Sequence, residues 1–142
     1  MRTRQMKVGT REESPMGIEL NHTIVHVKDR WAAARDVGGV LGLPEAGAYG
    51  PFAELKLDNG ASLDFMDTEG EIHGQHYAFL VSEGEFDLIL GRLRDGGRQW
   101  WADPFKRQPG EINNGDGGRG LYWEGPDGHW LEIITRPYGS GA

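Results

Sequence analysis

Short runs of alternating apolar and polar residues, separated by Gly-rich turns, occupy most of the chain. Residues 18–27 (IELNHTIVHV) are rich in β-branched residues and are predicted to form a strand. Two more alternating runs, 52–57 and 61–66, flank residues 58–60 (DNG), a sequence that favours a β-hairpin. The same alternation predicts a strand at 76–81. This pattern indicates a strand-rich fold.

Two segments have the helical period instead. Asp29 is a candidate N-cap for a helix over 30–41, whose apolar residues recur every three or four positions and which Gly42 ends. A second helix is predicted over 83–95 and stops at Gly96. The chain therefore alternates strands with two helices.

The last third of the chain is predicted to be mostly loop and strand. A short strand at 99–101 leads into a Pro-, Gly- and Asn-rich loop at 102–119. A final hairpin joins strands at 121–124 and 130–135. The order of strand, helix and strands therefore occurs twice, which suggests an internal repeat. The alignment of the halves places His22 over His76 and Asp64 over Glu132.

The amino-acid composition of the chain argues against several classes of function. The chain has 142 residues, a net charge of −7 and no cysteine. The negative charge argues against nucleic acid or an anionic membrane as the main partner, and the absence of cysteine excludes disulfide scaffolds and thiolate metal sites. No apolar run approaches the ~20 residues that span a bilayer. We expect a cytoplasmic protein.

Three side chains that can bind a metal ion lie on three separate predicted strands. His22 lies on one face of the first predicted strand, His76 on one face of the strand that opens the second half, and Glu132 at the centre of the last strand. On one sheet surface, two imidazoles and a carboxylate would bind a divalent metal facially and leave positions open for water or substrate. The alternative for each histidine is a half-buried, hydrogen-bonded residue without a metal.

Three segments resemble signatures of the vicinal oxygen chelate superfamily, which includes glyoxalases, bleomycin resistance proteins and extradiol dioxygenases. They are LNHTIVHVKD (20–29), HYAFLV (76–81) and YWEGPDGHWLEI (122–133). The resemblance implies an α+β fold in which paired βαβββ modules form a curled mixed-sheet cup. It implies one domain over 18–142 with modules at about 18–70 and 75–138. Residues 1–17 contain many charged and few apolar residues, so we expect them to form a mobile N-terminal tail.

The resemblance also implies a metal site. The family's two histidine ligands match His22 and His76, and its acidic ligand, in the pattern DPDGHxLE, matches Glu132 in GPDGHWLE. The implied metal is a divalent ion (Fe²⁺, Mn²⁺, Zn²⁺ or Ni²⁺), and the ligand set does not choose among them. The implied function is a metal-dependent enzyme of the glyoxalase or dioxygenase type. Its metal would chelate vicinal oxygens of a small-molecule substrate and stabilise an enolate- or oxyanion-like intermediate.

The sequence leaves two properties open, the function and the oligomeric state. The alternative function is a metal-free binding protein for a small molecule, such as a bleomycin-type antibiotic, and the five tryptophans suit it. Two modules in one chain can form the cup alone, but relatives commonly pair, sometimes with exchanged strands. We expect a homodimer.

Further candidates surround the predicted metal site. Tyr122 is the catalytic candidate, because a tyrosine at this place faces the substrate in several relatives; packing in the cup is its alternative. Asp64 matches the position of a fourth ligand in some relatives, or is a satisfied polar residue in the cup wall. His26 shares a face with His22, and His129 is expected to be only a turn residue. The loop at 102–119 is a candidate lid over an anionic substrate or a solvated surface loop.

Overall fold

The computed structural model describes residues 17–141, so the predicted N-terminal tail lies outside the described residues except for Gly17. The chain forms seven strands and two helices within this range. They are β1 (His22–Val27), α1 (Arg30–Leu41), β2 (Gly47–Tyr49), β3 (Phe52–Lys56), β4 (Ser62–Asp67), β5 (His76–Leu80), α2 (Glu83–Asp95), β6 (Gly120–Glu124) and β7 (Trp130–Ile134).

The strands form two mixed sheets that do not close into a barrel. The first sheet has the order β1-β4-β3-β2 and the second the order β5-β7-β6. In each sheet the first strand runs parallel to its neighbour, β1 to β4 and β5 to β7, while the remaining pairs are antiparallel. The predicted α+β fold, built from two similar halves, is confirmed.

The similarity of the halves extends to the register of the strands. In the first sheet, Asp64 pairs with the residue two positions after His22. In the second sheet, Glu132 pairs with the residue two positions after His76. Each histidine therefore lies diagonally across a parallel strand pair from its acid, and the alignment of the two halves that the sequence suggested holds residue by residue.

Two predicted strands are shorter in the structure by more than one residue. β1 begins at His22 rather than at residue 18, because its partner strand begins at Ser62, opposite His22, and Ile18 is fully exposed. The predicted strand at 99–101 reduces to Trp101, which forms isolated bridges with Pro109 and with Tyr122 and exchanges two backbone hydrogen bonds with Tyr122. The chain on either side of Trp101 bonds to its own loop, since the Trp100 carbonyl accepts from Gly110.

Local signals in the sequence define the ends of the helices. The Asp29 side chain accepts from the first backbone N–H groups of α1, and Gly42 ends the helix with a left-handed conformation at φ 76°. Gly38 lies inside α1, where a Cβ would approach Leu55 to 2.9 Å, so glycine allows the helix to pack closely on β3. Within residues 17–141, neither helix is long and apolar enough to cross a membrane.

One hydrophobic core joins both halves. α1 packs on β3 and β4 and also contacts α2. The core includes Val25, Phe65, Phe86, Trp123 and Leu131, each at most 2% exposed. Residues of β1 that point away from this core, His22, Ile24 and His26, are exposed. Each sheet therefore packs one face against the core. His22 and Asp64 lie on the opposite face of the first sheet, and His76 and Glu132 lie on the opposite face of the second.

His129 links the two halves, and the expectation that it serves only as a turn residue is wrong. Its side chain is 2% exposed. Nδ1 accepts from the Gln75 backbone N–H at 3.0 Å, so Nε2 carries the hydrogen that it donates to the His26 carbonyl at 2.8 Å. These partners lie far away in the sequence, which is why local turn signals could not indicate them.

Replacement of His129 by alanine tests this link. We expect His129→Ala to lower the free energy of unfolding by about 2–4 kcal/mol, because it leaves two partly buried backbone groups without partners and opens a cavity. Urea unfolding followed by circular dichroism measures the change. The matched control is His73→Ala, since the His73 side chain is 78% exposed. Equal stability of the two variants would contradict the assignment.

Candidate functional site

His76 and Glu132 form the centre of the candidate site. The parallel pairing of β5 with β7 brings the Nε2 atom of His76 to 2.9 Å from Oε1 of Glu132. Glu132 is 1% exposed, whereas the His76 side chain is about half exposed. A carboxylate is rarely buried so fully without partners, because loss of water destabilises its charge. The buried acid therefore meets its partner at the open surface of the sheet.

Hydrogen bonds fix the tautomer of His76. Its Nδ1 atom lies 2.9 Å from the Trp130 carbonyl oxygen, which can only accept, so Nδ1 carries a hydrogen. In a neutral ring, Nε2 then presents a lone pair to the lone pairs of Glu132. Two acceptors at this distance need a proton or a metal cation between them. A backbone carbonyl that holds Nδ1–H is also the usual support of a metal-binding histidine.

The two acceptors are atoms of the types that bind metal ions. An imidazole nitrogen and a carboxylate oxygen are common ligands of divalent ions. The 2.9 Å between His76 Nε2 and Glu132 Oε1 is also the length of an ordinary hydrogen bond between a protonated histidine and a carboxylate. The pair would supply two ligands to an ion, and the remaining ligands would come from elsewhere.

Tyr138 is a site residue that the sequence analysis did not single out. Its hydroxyl donates to Oε2 of Glu132 at 2.6 Å and lies 3.3 Å from the Tyr122 hydroxyl. Desolvation of the hydroxyl and the bond to Glu132 raise the pKa of Tyr138, and burial raises the pKa of Tyr122. Both phenols stay protonated at neutral pH. Tyr138 lies between Pro137 and Gly139, after the last strand. This segment has no helical or strand periodicity from which the orientation of the Tyr138 side chain could be predicted.

Aromatic rings extend from the His–Glu pair along the sheet. Tyr122 lies between His76, at 6.0 Å between ring centroids, and Trp130, at 5.9 Å. Trp130 in turn contacts Trp101 at 5.4 Å. The Lys106 ammonium lies 5.2 Å and 5.4 Å from the centroids of these two tryptophans, within the range of a cation–π interaction. The site therefore has an apolar wall that ends at Lys106, whose ammonium also pairs with Glu124 at 3.0 Å.

The loop at 102–119 is held by its own hydrogen bonds. The Asp103 carboxylate accepts from the backbone N–H groups of Phe105, Arg107 and Gln108. Partial desolvation opposes the effect, but these donors lower the pKa of Asp103. At the C-terminal end of the loop, Arg119 forms ion pairs with Glu83 and Asp87 of α2. The loop therefore has a defined shape, and Arg119 is already paired.

The remaining predicted residues lie apart from the pair. His22 is exposed, and its Nδ1 bonds the side-chain oxygen of Asn21 at 2.7 Å. Asp64 is buried and accepts from Ser62 at 2.8 Å. His26 bonds Thr68 at 2.9 Å. Within residues 17–141 of one chain, no three His, Cys, Asp or Glu side chains lie close enough to hold a metal. A single chain thus brings together two of the three predicted ligands.

Comparison with solved structures decides the family. The oxidase ChaP-H2 is 57% identical to this chain with a TM-score of 0.86, and the match covers 89% of this chain and 100% of that one. The oxidase ChaP-H1 is 58% identical with a TM-score of 0.84, over 87% and 99% of the two chains. A glyoxalase/dioxygenase from Nostoc punctiforme has a TM-score of 0.65 at 19% identity, over 96% and 99%. No protein-family model matches the chain, and neither does any curated protein.

The chain belongs to the vicinal oxygen chelate superfamily. The similarity suggested by the three sequence segments is thereby confirmed, together with the fold. The Nostoc structure supports the fold alone, whereas the two oxidases are close relatives of this vicinal oxygen chelate protein. The ligand set of His22, His76 and Glu132 stays a prediction, as does the role of Tyr122.

Acid should loosen the loop that carries Lys106. Since the pKa of Asp103 is lowered in the folded chain, its hydrogen bonds are fully present above the ordinary Asp pKa of about 3.9 and are lost as pH falls through the lowered value. We expect acrylamide quenching of Trp101 and Trp130 fluorescence to stay constant from pH 7 to pH 5 and to rise at lower pH. Asp103→Ala should show the higher quenching already at pH 7.

Asp95→Ala is the matched control, because Asp95 is an exposed acid at the end of α2. Its quenching should follow the wild-type curve. If Asp103→Ala and the wild type quenched equally at every pH, the Asp103 bonds would not hold the loop over the tryptophans.

Proposed function

We propose that two copies of this chain form a metal-dependent oxidase of the vicinal oxygen chelate type. In this proposal, His76 and Glu132 of one copy and His22 of the other hold one divalent ion. The observation that carries the proposal is the His76–Glu132 pair, because its two acceptors face each other 2.9 Å apart at the edge of a buried carboxylate. The small-molecule substrate would bind beside the ion with two neighbouring oxygens.

The need for a second copy follows from where His22 lies. His22 is exposed on β1, and β1 pairs only with β4 among the described strands. β5, which carries His76, pairs only with β7. Two unpaired strand edges and the exposed apolar residues Ile24 and Leu80 are features that a second copy of the chain would cover. Pairing of β1 from one copy with β5 of the other would bring the two histidines to one surface.

In the proposed oxidase reaction, the residues around the His76–Glu132 pair would have different roles. A bound divalent ion supplies Lewis-acid stabilisation, worth several kcal/mol, for negative charge on the substrate oxygens. The Trp130 carbonyl accepts the hydrogen on Nδ1 of His76, and this bond turns Nε2 toward Glu132. Trp130 and Tyr122 offer flat apolar surface that orients the substrate and excludes water. Tyr122 stays protonated at neutral pH, so it can hold a proton near the substrate oxygens.

The oxidase class is favoured over a glyoxalase-type lyase by sequence identity. The two oxidases share more than half of their residues with this chain, whereas the structure titled glyoxalase/dioxygenase, at 19% identity, supports the fold alone. The second candidate function, metal-free binding of a bleomycin-type antibiotic, rests on the adjoining Trp101, Trp130 and Tyr122 rings. It predicts metal-free protein that binds such a ligand with micromolar affinity.

A mixing experiment tests whether the metal lies between two copies. His22→Ala and Glu132→Ala should each lose the bound metal, because each removes one ligand from every site. If the two variants are unfolded together and refolded as a mixture, about one quarter of the wild-type metal content should return. The reason is that about half of the dimers are then mixed, and each mixed dimer has one intact site. Elemental analysis after removal of loosely bound metal measures the content.

The controls separate the possible outcomes. Each variant refolded alone should remain metal-free, and His73→Ala should keep the wild-type content. Failure of the mixture to regain metal, with wild type metal-loaded, would contradict a site shared by two copies. Metal-free wild type that binds bleomycin would favour the second candidate function.

A further inference from the structure

Tyr138 lies on a C-terminal segment that folds back over the second sheet. The segment leaves β7 at Ile134, where the backbone N–H of Thr135 bonds the Arg119 carbonyl at 2.9 Å. Its end is fixed by the backbone N–H of Gly141, which donates to Asp116 at 3.1 Å. The segment is therefore anchored on both sides of Tyr138, and this anchoring holds the phenol over Glu132.

The contact of Tyr138 with the site is a hydrogen bond rather than packing. The residue is 67% exposed, yet its hydroxyl reaches a carboxylate that is 1% exposed, at 2.6 Å. A side chain so exposed contributes little apolar burial. A hydrogen bond to a charged acceptor is, in contrast, among the stronger kinds. The hydroxyl is therefore the part of Tyr138 that matters for Glu132.

The direction of the hydrogen bonds is determined by the acceptors. An ionised carboxylate only accepts, so the Tyr138 hydroxyl donates to Oε2 of Glu132. Since this uses the single hydrogen of Tyr138, the 3.3 Å contact with Tyr122 must be donated by Tyr122. The result is a one-way chain from Tyr122 through Tyr138 to Glu132. Oε2 is engaged by this chain, and only Oε1 faces His76.

We propose that Tyr138 is a positioning residue. Its hydrogen bond would hold Oε2 of Glu132 away from the metal, so that only Oε1 would bind the ion. This inference rests on the proposed function, because it assigns Tyr138 a task at the same metal site. Without the Tyr138 hydroxyl, Oε2 is free to turn to the ion, and Glu132 would occupy a second coordination position. A position taken by Oε2 is one that the substrate's second oxygen would otherwise use.

Cobalt binding to purified apoprotein tests the proposal without an activity assay. Removal of a hydrogen-bond partner behind a ligand commonly weakens metal binding about 10–100-fold. Because the lost orientation of Oε1 outweighs the weak added bond from Oε2, we expect Tyr138→Phe to bind Co²⁺ about 10–100-fold more weakly than wild type, as measured by competition with a chelator. At saturating Co²⁺ the variant should absorb less strongly in the visible range, because a higher coordination number weakens the d–d bands.

Two variants serve as comparisons. Tyr49→Phe is the matched control, because Tyr49 is a similarly exposed tyrosine on the other sheet, and it should match wild type in affinity and spectrum. Tyr122→Phe should have a smaller effect than Tyr138→Phe, since the short 2.6 Å hydrogen bond to Glu132 comes from the Tyr138 hydroxyl. Thermal unfolding of each apoprotein checks that all variants are folded, and the spectrum at saturation does not depend on their stability.

The outcomes distinguish this proposal from the proposed function. Weaker binding and an altered spectrum in Tyr138→Phe alone support it. Wild-type affinity and spectrum in Tyr138→Phe, with cobalt bound to every variant, overturn the role of Tyr138 and leave the metal site standing. If neither wild type nor any variant binds Co²⁺, the proposed metal enzyme fails and the inference fails with it.

Discussion

Two hydrogen-bond acceptors that face each other need a positive charge between them, and this requirement governs the site. Nε2 of His76 and Oε1 of Glu132 are 2.9 Å apart, and the backbone carbonyl of Trp130 prevents His76 from presenting a hydrogen through its neutral tautomer. The arrangement follows directly from the sheet. Parallel pairing of β5 with β7 sets Glu132 diagonally across from His76, and the same pairing supplies the carbonyl. The fold thus places the two acceptors side by side and fixes the hydrogen of the neutral His76 ring on Nδ1.

The duplicated architecture explains why only one half carries such a pair. Asp64 has the same register relative to His22 as Glu132 has relative to His76. Its side chain is one methylene shorter, and it accepts a hydrogen bond from Ser62 instead of approaching the histidine. His22 is left exposed without an acid. In the proposed site, one half of each chain would provide two ligands and the other half a single imidazole, a division that suits association of two chains.

Much of the fold could be predicted from the sequence, because its signals are local. Alternation, β-branched residues and turn signals located every described strand except the short β2, and Asp29 marked the start of α1. Strand parity assigned His22, His76 and Glu132 each to one face of its own strand. The features that were missed depend on distant partners. His129 gained its role from Gln75 and His26, which lie 54 and 103 residues away. Tyr138 reaches Glu132 from an irregular segment, and no residue pattern predicts the direction of such a segment.

Crystals grown with Mn²⁺ and measured by anomalous scattering at the manganese edge give the most direct test of the central claim. The account predicts one anomalous peak per chain, in contact with Nε2 of His76 and Oε1 of Glu132, with the third protein ligand supplied by His22 of a second copy. An ion at that pair with no histidine from a neighbouring copy would contradict the shared site. The absence of any peak at the pair would contradict the metal site itself.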